Sequence, residues 1–417
     1  MEAVETTPSL ETRRRGRILG AMARRRHGFV LAALALSAGL GAGACRTVVV
    51  KDFERPLPPG SPALIEVSDR EEWPDLSVDW HRPDEVLEAL DRSIAWTASA
   101  HARGFFPIEG ITHERALASL VRFREILSSA ESPEEFERRL RREFTLYKSA
   151  GWDGRGGGVL YTAYCTPILD GRLEPDARFR FPLYGLPDDL VKGEHGVILG
   201  RRTPDGGLRP YPDRRTLEAG GLLAGRGLEL VWLQSPLDAF IAHVNGSAFV
   251  RLADGSIARF GYAGTNGREY TSLSKQLVAD GQLEAGRSSL AAIRAWAREH
   301  PGELEGYTNR NERYVFFTPI DGNPRGSLNV EVSAERTLAT DKTLFPRGAV
   351  VFVETHIPGA GFTEGKEFHQ FMLDQDTGGA IRTAGRADIY LGVGGRAEEL
   401  AGATRVEGQL YYLFLRE

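Results

Sequence analysis

Cysteine is nearly absent from this 417-residue chain: only Cys45 and Cys165 occur. A framework of disulfides is therefore excluded, and the fold must rest on its apolar core. The nine histidines are scattered, with no H-E-x-x-H or comparable ligand spacing, so no metal site is expected. There is no internal repeat, no low-complexity tract and no basic stripe, which argues against nucleic acid as a partner. No cofactor-binding motif is recognised either. The one conspicuous apolar stretch, "GFVLAALALSAGLGAGAC", is too short to cross a bilayer comfortably.

That stretch follows Arg24, Arg25 and Arg26 and ends in small residues at Cys45, the pattern of an export signal. Its position suggests that Met22 is the true start. The ending A-G-A-C resembles a bacterial lipobox, with Ala42 where leucine is usual, and makes Cys45 the expected lipidated first residue of the mature protein. Arg46 is not the aspartate linked to inner-membrane retention, so the expected location is the periplasm, anchored by lipid to the outer membrane. Removing residues 1–44 takes away seven arginines and three glutamates, which moves the net charge from −5 to −9. Cys165 then has no partner and reads as a buried apolar residue.

What is plentiful is glycine (48 residues) and tyrosine (12), in a chain with 41% hydrophobic and 26% charged residues. At this length two domains are expected. Residues 45–80, with Pro56, Pro58, Pro59 and Pro62, read as a tether and lead-in. Helical patterns follow near 84–102, 113–130 and 132–148, the third capped by Ser132 with Pro133 at its first position. Beyond "GRGGG" (154–158) the pattern turns to strands, with a hairpin at Asp254-Gly255. Helices near 271–280 and 288–300 interrupt the series. It resumes with "RYVFFTPI", "SLNVEVS", "GAVVFVETHI", "EFHQFMLDQ", "ADIYLGVG" and "LYYLFLR". The fold class is mainly β with helical decoration and at least one closed barrel.

The chemistry concentrates in "FMLDQDTGGAIRTAGRADIYLGVGG", where Asp374, Asp376 and Asp388 are set among apolar residues and glycines. Carboxylates in such surroundings are costly unless partnered. Asp-Thr-Gly at 376–378 matches the active-site turn of aspartic peptidases, which need two aspartates sharing a proton. A second such turn is lacking, so that reading would require a symmetric dimer.

A different resemblance covers residues 150 to the C-terminus. "LYTAYCTPILDGR", "AFIAHVNGSAFVRLADGSIARFGYAGTNGREYTSL", "YVFFTP", "LATDKTLFPRGAVVF" and "DQDTGGAIRTAGRADIYLG" resemble the membrane-bound lytic murein transglycosylase A family. The resemblance implies a double-psi β-barrel (81–167 and 319–417) holding a second, inserted β-barrel (168–318), with a substrate groove between them. It implies Asp388 as the catalytic acid and base, with Asp376 and Asp341 as supporting carboxylates, and leaves Asp374 a structural residue. Thr162, Tyr164, Thr166, Gly378, Gly379, Asn245, Ser247, Tyr262 and Asn266 become candidates for sugar contacts, as does Tyr161. Ala163, Cys165, Asn245 and Ala248 depart from the family pattern. The implied partner is the peptidoglycan glycan strand, with unidentified cell-wall synthesis or division proteins beside it. The implied activity is lytic cleavage between N-acetylmuramic acid and N-acetylglucosamine. The alternative class is a lipoprotein that binds this polymer without cutting it.

Overall fold

The computed structural model describes residues 51–359 and 365–417. The expected export signal and Cys45 lie outside the described residues.

Six strands close into a barrel. Their order is Arg405–Leu415, Val350–Pro358, Gly365–Asp376, Thr337–Ala339, Arg386–Val393 and Val159–Thr166, the last pairing back to the first. Two of these pairings are parallel: Thr337–Ala339 with Gly365–Asp376, and Arg386–Val393 with Val159–Thr166. Alternation along each strand fills the interior with Tyr161, Cys165, Leu338, Val351, Met372, Ile389, Leu410 and Tyr412. The strands come from both sides of the inserted segment, so neither part of the chain can close the barrel alone.

The outer face of this barrel is covered by three helices, Pro83–Thr97, His113–Ser129 and Pro133–Glu143. Phe123 and Phe136 stand edge-on to Phe371, with centroids 5.0 and 5.7 Å away. The third helix stops at Glu143, short of the expected 148. Phe144 and Leu146 are buried on alternate positions of a strand, Phe144–Ser149, which pairs with Arg405–Leu415. Two-residue periodicity, not the Glu/Arg run before it, decides that stretch.

Residues 51–80 are not the tether expected. Leu64–Glu66 adds a strand beside Phe144–Ser149, Trp73 and Leu76 are buried, and Asp79 forms a buried ion pair with Arg336. Among the prolines, Leu57, Ala63 and Leu64 pack against the barrel core, while Trp73 and Leu76 join the core under the helices. Further back, the Phe53 carbonyl accepts a hydrogen bond from Thr383 Oγ1 (2.7 Å), and the Phe53 ring packs on Trp152.

The inserted segment forms a second six-stranded sheet. Its order is Val315–Pro319, Ile257–Thr265, Ala248–Arg251, Ile168–Arg172, Glu229–Leu233 and Phe181–Tyr184. A single bridge, Gly185 to Phe317, returns the last strand to the first and closes it. The expected hairpin turns at Asp254-Gly255, where Gly255 takes the left-handed φ of +83°. Helices including Pro236–Asn245, Leu273–Ala279 and Leu290–Glu299 share a separate core around Trp296. The expected strand "SLNVEVS" is instead a turn: Asn329 is left-handed (φ +57°) and its N–H donates to the Gly326 carbonyl. That conformation breaks the alternation a strand needs.

Candidate active site

Alternation on the Asp388 strand decides what faces away from the barrel core. Ala387 and Ile389 point into the barrel core, so Arg386, Asp388 and Tyr390 share the opposite face. The neighbouring strand is in parallel register, with Thr162 opposite Asp388 and Tyr164 opposite Tyr390. Tyr161 and Cys165 point inward, and Thr162, Tyr164 and Thr166 outward. The Tyr161 hydroxyl donates to the Gln409 carbonyl, so this tyrosine is a core residue and not a sugar contact.

Thr162 Oγ1 donates to Asp388 Oδ1 at 2.7 Å, and Arg386 Nη2 donates to Thr162 Oγ1 at 3.3 Å. Burial pushes the Asp388 carboxyl up to about 6, and the charge of Asp376 adds to the rise, while the Thr162 hydrogen bond and Arg386 hold it back. Asp376 ends the strand Gly365–Asp376. Its Oδ2 accepts from the Tyr164 hydroxyl (2.7 Å) and its Oδ1 from the amides of Ser327 and Thr377 (both 2.8 Å). Burial raises this carboxyl as well, against those hydrogen bonds. A peptidase dimer would need an uncovered Asp376, and Tyr164 already occupies one of its oxygens.

Asp341 plays a different part from the charged neighbour of Asp388 that was expected. Its Oδ1 accepts from the amide and hydroxyl of Thr343, and its Oδ2 from the amide of Thr383 (3.0 Å). Oδ1 thus closes the turn that follows Asp341 itself, and Oδ2 holds the loop that joins the Asp376 strand to the Asp388 strand, so any support it gives travels through the backbone. Asp374 is wholly buried in an ion pair with Lys342, and Thr340 and the Tyr412 hydroxyl also donate to it.

The remaining candidates divide. Tyr262 is 49% exposed, and Thr162 and Tyr164 are half-buried beside Asp388 and Asp376. Thr166 and Ser247 are buried and hydrogen-bonded to each other at 3.1 Å, with Tyr390 Oη 3.0 Å from Thr166. They pin the insert to the barrel and have no face left for sugar. Asn266 is 2% exposed and its amide is fully engaged: Nδ2 donates to the carbonyls of Pro212 and Glu312, while Oδ1 accepts from the amides of Tyr314 and Arg268. It is a loop brace. Asn245 Nδ2 donates to Ile241 in its own helix, and Oδ1 accepts from the Cys165 amide at 3.4 Å. Gly378 and Gly379 do not take left-handed φ values. Space is what Gly379 supplies: a Cβ there would lie 3.1 Å from Tyr270 Cβ and 3.6 Å from Arg313 Nε.

Four polar groups at the site were not anticipated. Tyr270 and Arg313 reach in from the insert beside Gly379. Arg386 lies two residues before Asp388, and strand alternation alone would have placed it on the same face. Glu54 pairs with Arg386 on the barrel and with Lys275 on the insert, bridging the two walls. Among the described residues no three His, Cys, Asp or Glu side chains converge on a point that could hold a metal ion.

This arrangement is similar to that of known proteins. Residues 160–318 match the model of the MltA specific insert domain, and residues 336–414 match the 3D domain. The membrane-bound lytic murein transglycosylase A of Vibrio cholerae is 30% identical over 269 residues, which cover 64% of this chain and 68% of that protein. The Escherichia coli K12 protein of the same name is 30% identical over 261 residues, 62% of this chain and 66% of the other. The crystal structure of a membrane-bound lytic murein transglycosylase from Agrobacterium tumefaciens superposes with a TM-score of 0.70 at 28% identity, covering 85% of this chain and 98% of that one. In fold alone, the E. coli protein with bound chitohexaose is also alike, with a TM-score of 0.65 at 22% identity over 88% of this chain and 100% of that one. A closed barrel carrying three aspartates, an inserted β domain and this degree of identity together place the chain in the membrane-bound lytic murein transglycosylase A family.

Proposed function

We propose that this protein is a lytic transglycosylase that cleaves the β-1,4 bond between N-acetylmuramic acid and N-acetylglucosamine in peptidoglycan and leaves 1,6-anhydromuramoyl ends. The observation that carries this reading is Asp388, a single carboxyl raised to about 6, held by an uncharged hydroxyl on the face turned away from the barrel core. At mildly acidic to neutral pH a fraction of Asp388 is protonated and can act as an acid.

Most glycosidases use two carboxyls, one to protonate the leaving oxygen and one to attack or to activate water. One suffices here. Protonated Asp388 gives its proton to the glycosidic oxygen as the bond from C1 to that oxygen breaks. The C6 hydroxyl of the same muramoyl sugar then bonds to C1, and the Asp388 carboxylate takes the hydroxyl proton, which restores the starting state. No water is consumed. An internal nucleophile of this kind has an effective molarity of roughly 10⁵ M or more in favourable geometry, which replaces a positioned water. Asp376 supplies negative charge beside the reacting centre, and Tyr164 fixes its orientation.

The same reading makes Cys45 the lipid anchor, the outer membrane the site of work, and cell-wall synthesis or division proteins the candidate company. Mass spectrometry of digested sacculi tests it. Anhydro ends are expected from the wild type, and Asp388→Asn should lower their release by roughly 10³-fold, the scale of general acid–base catalysis. Reducing ends would make the protein a hydrolase. Intact strands with retained protein would make it a binder.

A further inference from the structure

We propose that Arg313, with Arg382 beside it, forms a carboxylate-binding subsite on the rim of the groove, which takes the acid group of a substituent on the muramoyl sugar. This rests on the reading just given, that the groove holds a muramoyl glycan.

The partly buried arginines of this protein are answered by carboxylates or, as at Arg347 and Arg172, by backbone carbonyls. Arg294 bonds Asp238 and Glu398, Arg336 bonds Asp79 and Glu85, and Arg386 bonds Glu54. Arg313 is the exception. Its guanidinium is half-buried, yet it makes no hydrogen bond or ion pair among the described residues, and neither does that of the exposed Arg382. Taking a cation partly out of water without a counter-ion is unfavourable, and a second cation nearby adds to the cost. Both effects are felt at Arg313, where burial and the charge of Arg382 push its acidity toward release of the proton. The Tyr262 phenol oxygen and Glu269 are the groups that oppose this, and neither bonds Arg313. An anion arriving at the Arg313 guanidinium would relieve this cost.

The position suits a ligand. The backbone around Arg313 is rigid: its amide donates to Asn311 Oδ1 (3.3 Å), its carbonyl accepts from Arg214 Nη2 (2.7 Å), and the next amide is held by Asn266. The side chain stands over Gly379, where the missing Cβ leaves room beside it, in the loop between Asp376 and Asp388. Tyr262, an exposed ring of the insert, lies within electrostatic reach of both Arg313 and Asp376. A planar, forked donor so placed recognises a carboxylate in two-point fashion.

Two parts of the polymer carry that chemistry: the lactyl acid of a muramoyl sugar stripped of peptide, and the acids of an attached peptide. Binding is measured with the full chain carrying Asp388→Asn, using peptide-free glycan strands, peptide-bearing strands and neutral chitohexaose. Adding Arg313→Gln should weaken binding to carboxylate-bearing strands roughly tenfold, the scale of a charged hydrogen-bond pair. Chitohexaose binding should be unchanged, and Arg313→Lys should restore part of the loss. Arg382→Gln should act in the same direction and more weakly. Loss confined to peptide-free strands assigns the lactyl acid, and loss confined to peptide-bearing strands assigns the peptide. Equal weakening of all three ligands, or of none, overturns the proposal, with thermal melting of each variant reporting any general unfolding. If the wild type makes no anhydro ends while the discrimination persists, the lytic reading fails and this subsite stands.

Discussion

The barrel handles buried carboxylates in two ways. Asp79, under the helices, and Asp374, beside Tyr412 in the barrel interior, are each matched by a cation, Arg336 and Lys342. On the groove side, Asp376 and Asp388 are held by hydroxyls, Tyr164 and Thr162. Asp374 and Asp376 are only two residues apart on one strand. A cation opposes the effect of burial, which still raises Asp374, and ties the carboxylate into a structural brace. A hydroxyl orients a carboxyl without removing the effect of burial, so the proton remains exchangeable near neutral pH.

The comparison breaks first, and most severely, on the structural side. Asp374→Ala leaves Lys342 buried and unmatched and should cost about 3–5 kcal/mol of stability in urea unfolding, whereas replacing both partners by apolar residues should cost much less. If the single change costs no more than the double, the ion pair is not what holds that side.

The groove side should behave in the opposite sense. Asp388 has a folded pKa above its unfolded one, so stability linked to it is present below about pH 4 and is lost as pH rises through about 6. Asp388→Asn should therefore be more stable than the wild type by about 2 kcal/mol at pH 7.5, and the gain should vanish by pH 4. Equal stability at both pH values would mean that the carboxyl is not raised.

The smallest and sharpest effects are in the pH profile. Because Asp388 must carry a proton to act, kcat/KM should fall as pH rises past about 6. Thr162→Val removes a donor that favours the carboxylate, and should move that limb to higher pH by roughly one unit. Tyr164→Phe leaves Asp376 more readily protonated, which weakens its lift on Asp388, and should move the limb by less and toward lower pH. Shifts of the same sign in both variants would remove the separate roles given to the two hydroxyls.

Much of this was legible in the sequence because it depends on local pattern. Alternating apolar positions mark the strands "GAVVFVETHI" and "ADIYLGVG", and the Asp-Gly dipeptide marks the hairpin at 254–255. Where the period changes inside one charged stretch, as at Phe144, local reading overran. The site was harder. Thr162 and Asp388 are 226 residues apart and meet only through strand register. Asn266 looked like a groove residue because asparagine beside glycine is common in exposed loops, and only the fold shows its four hydrogen bonds to be internal. Arg313 and Tyr270 carry no local signal at all, since what distinguishes them is a glycine more than 60 residues further along the chain.

The strand Arg405–Leu415 is the last element of the chain, and it pairs on one side with Val350–Pro358 and on the other with both Phe144–Ser149 and Val159–Thr166. The barrel cannot shut until this strand is in place. Until then Asp388 has no enclosed neighbourhood and stays an ordinary acid, so a chain without residues 405–415 would be chemically inert.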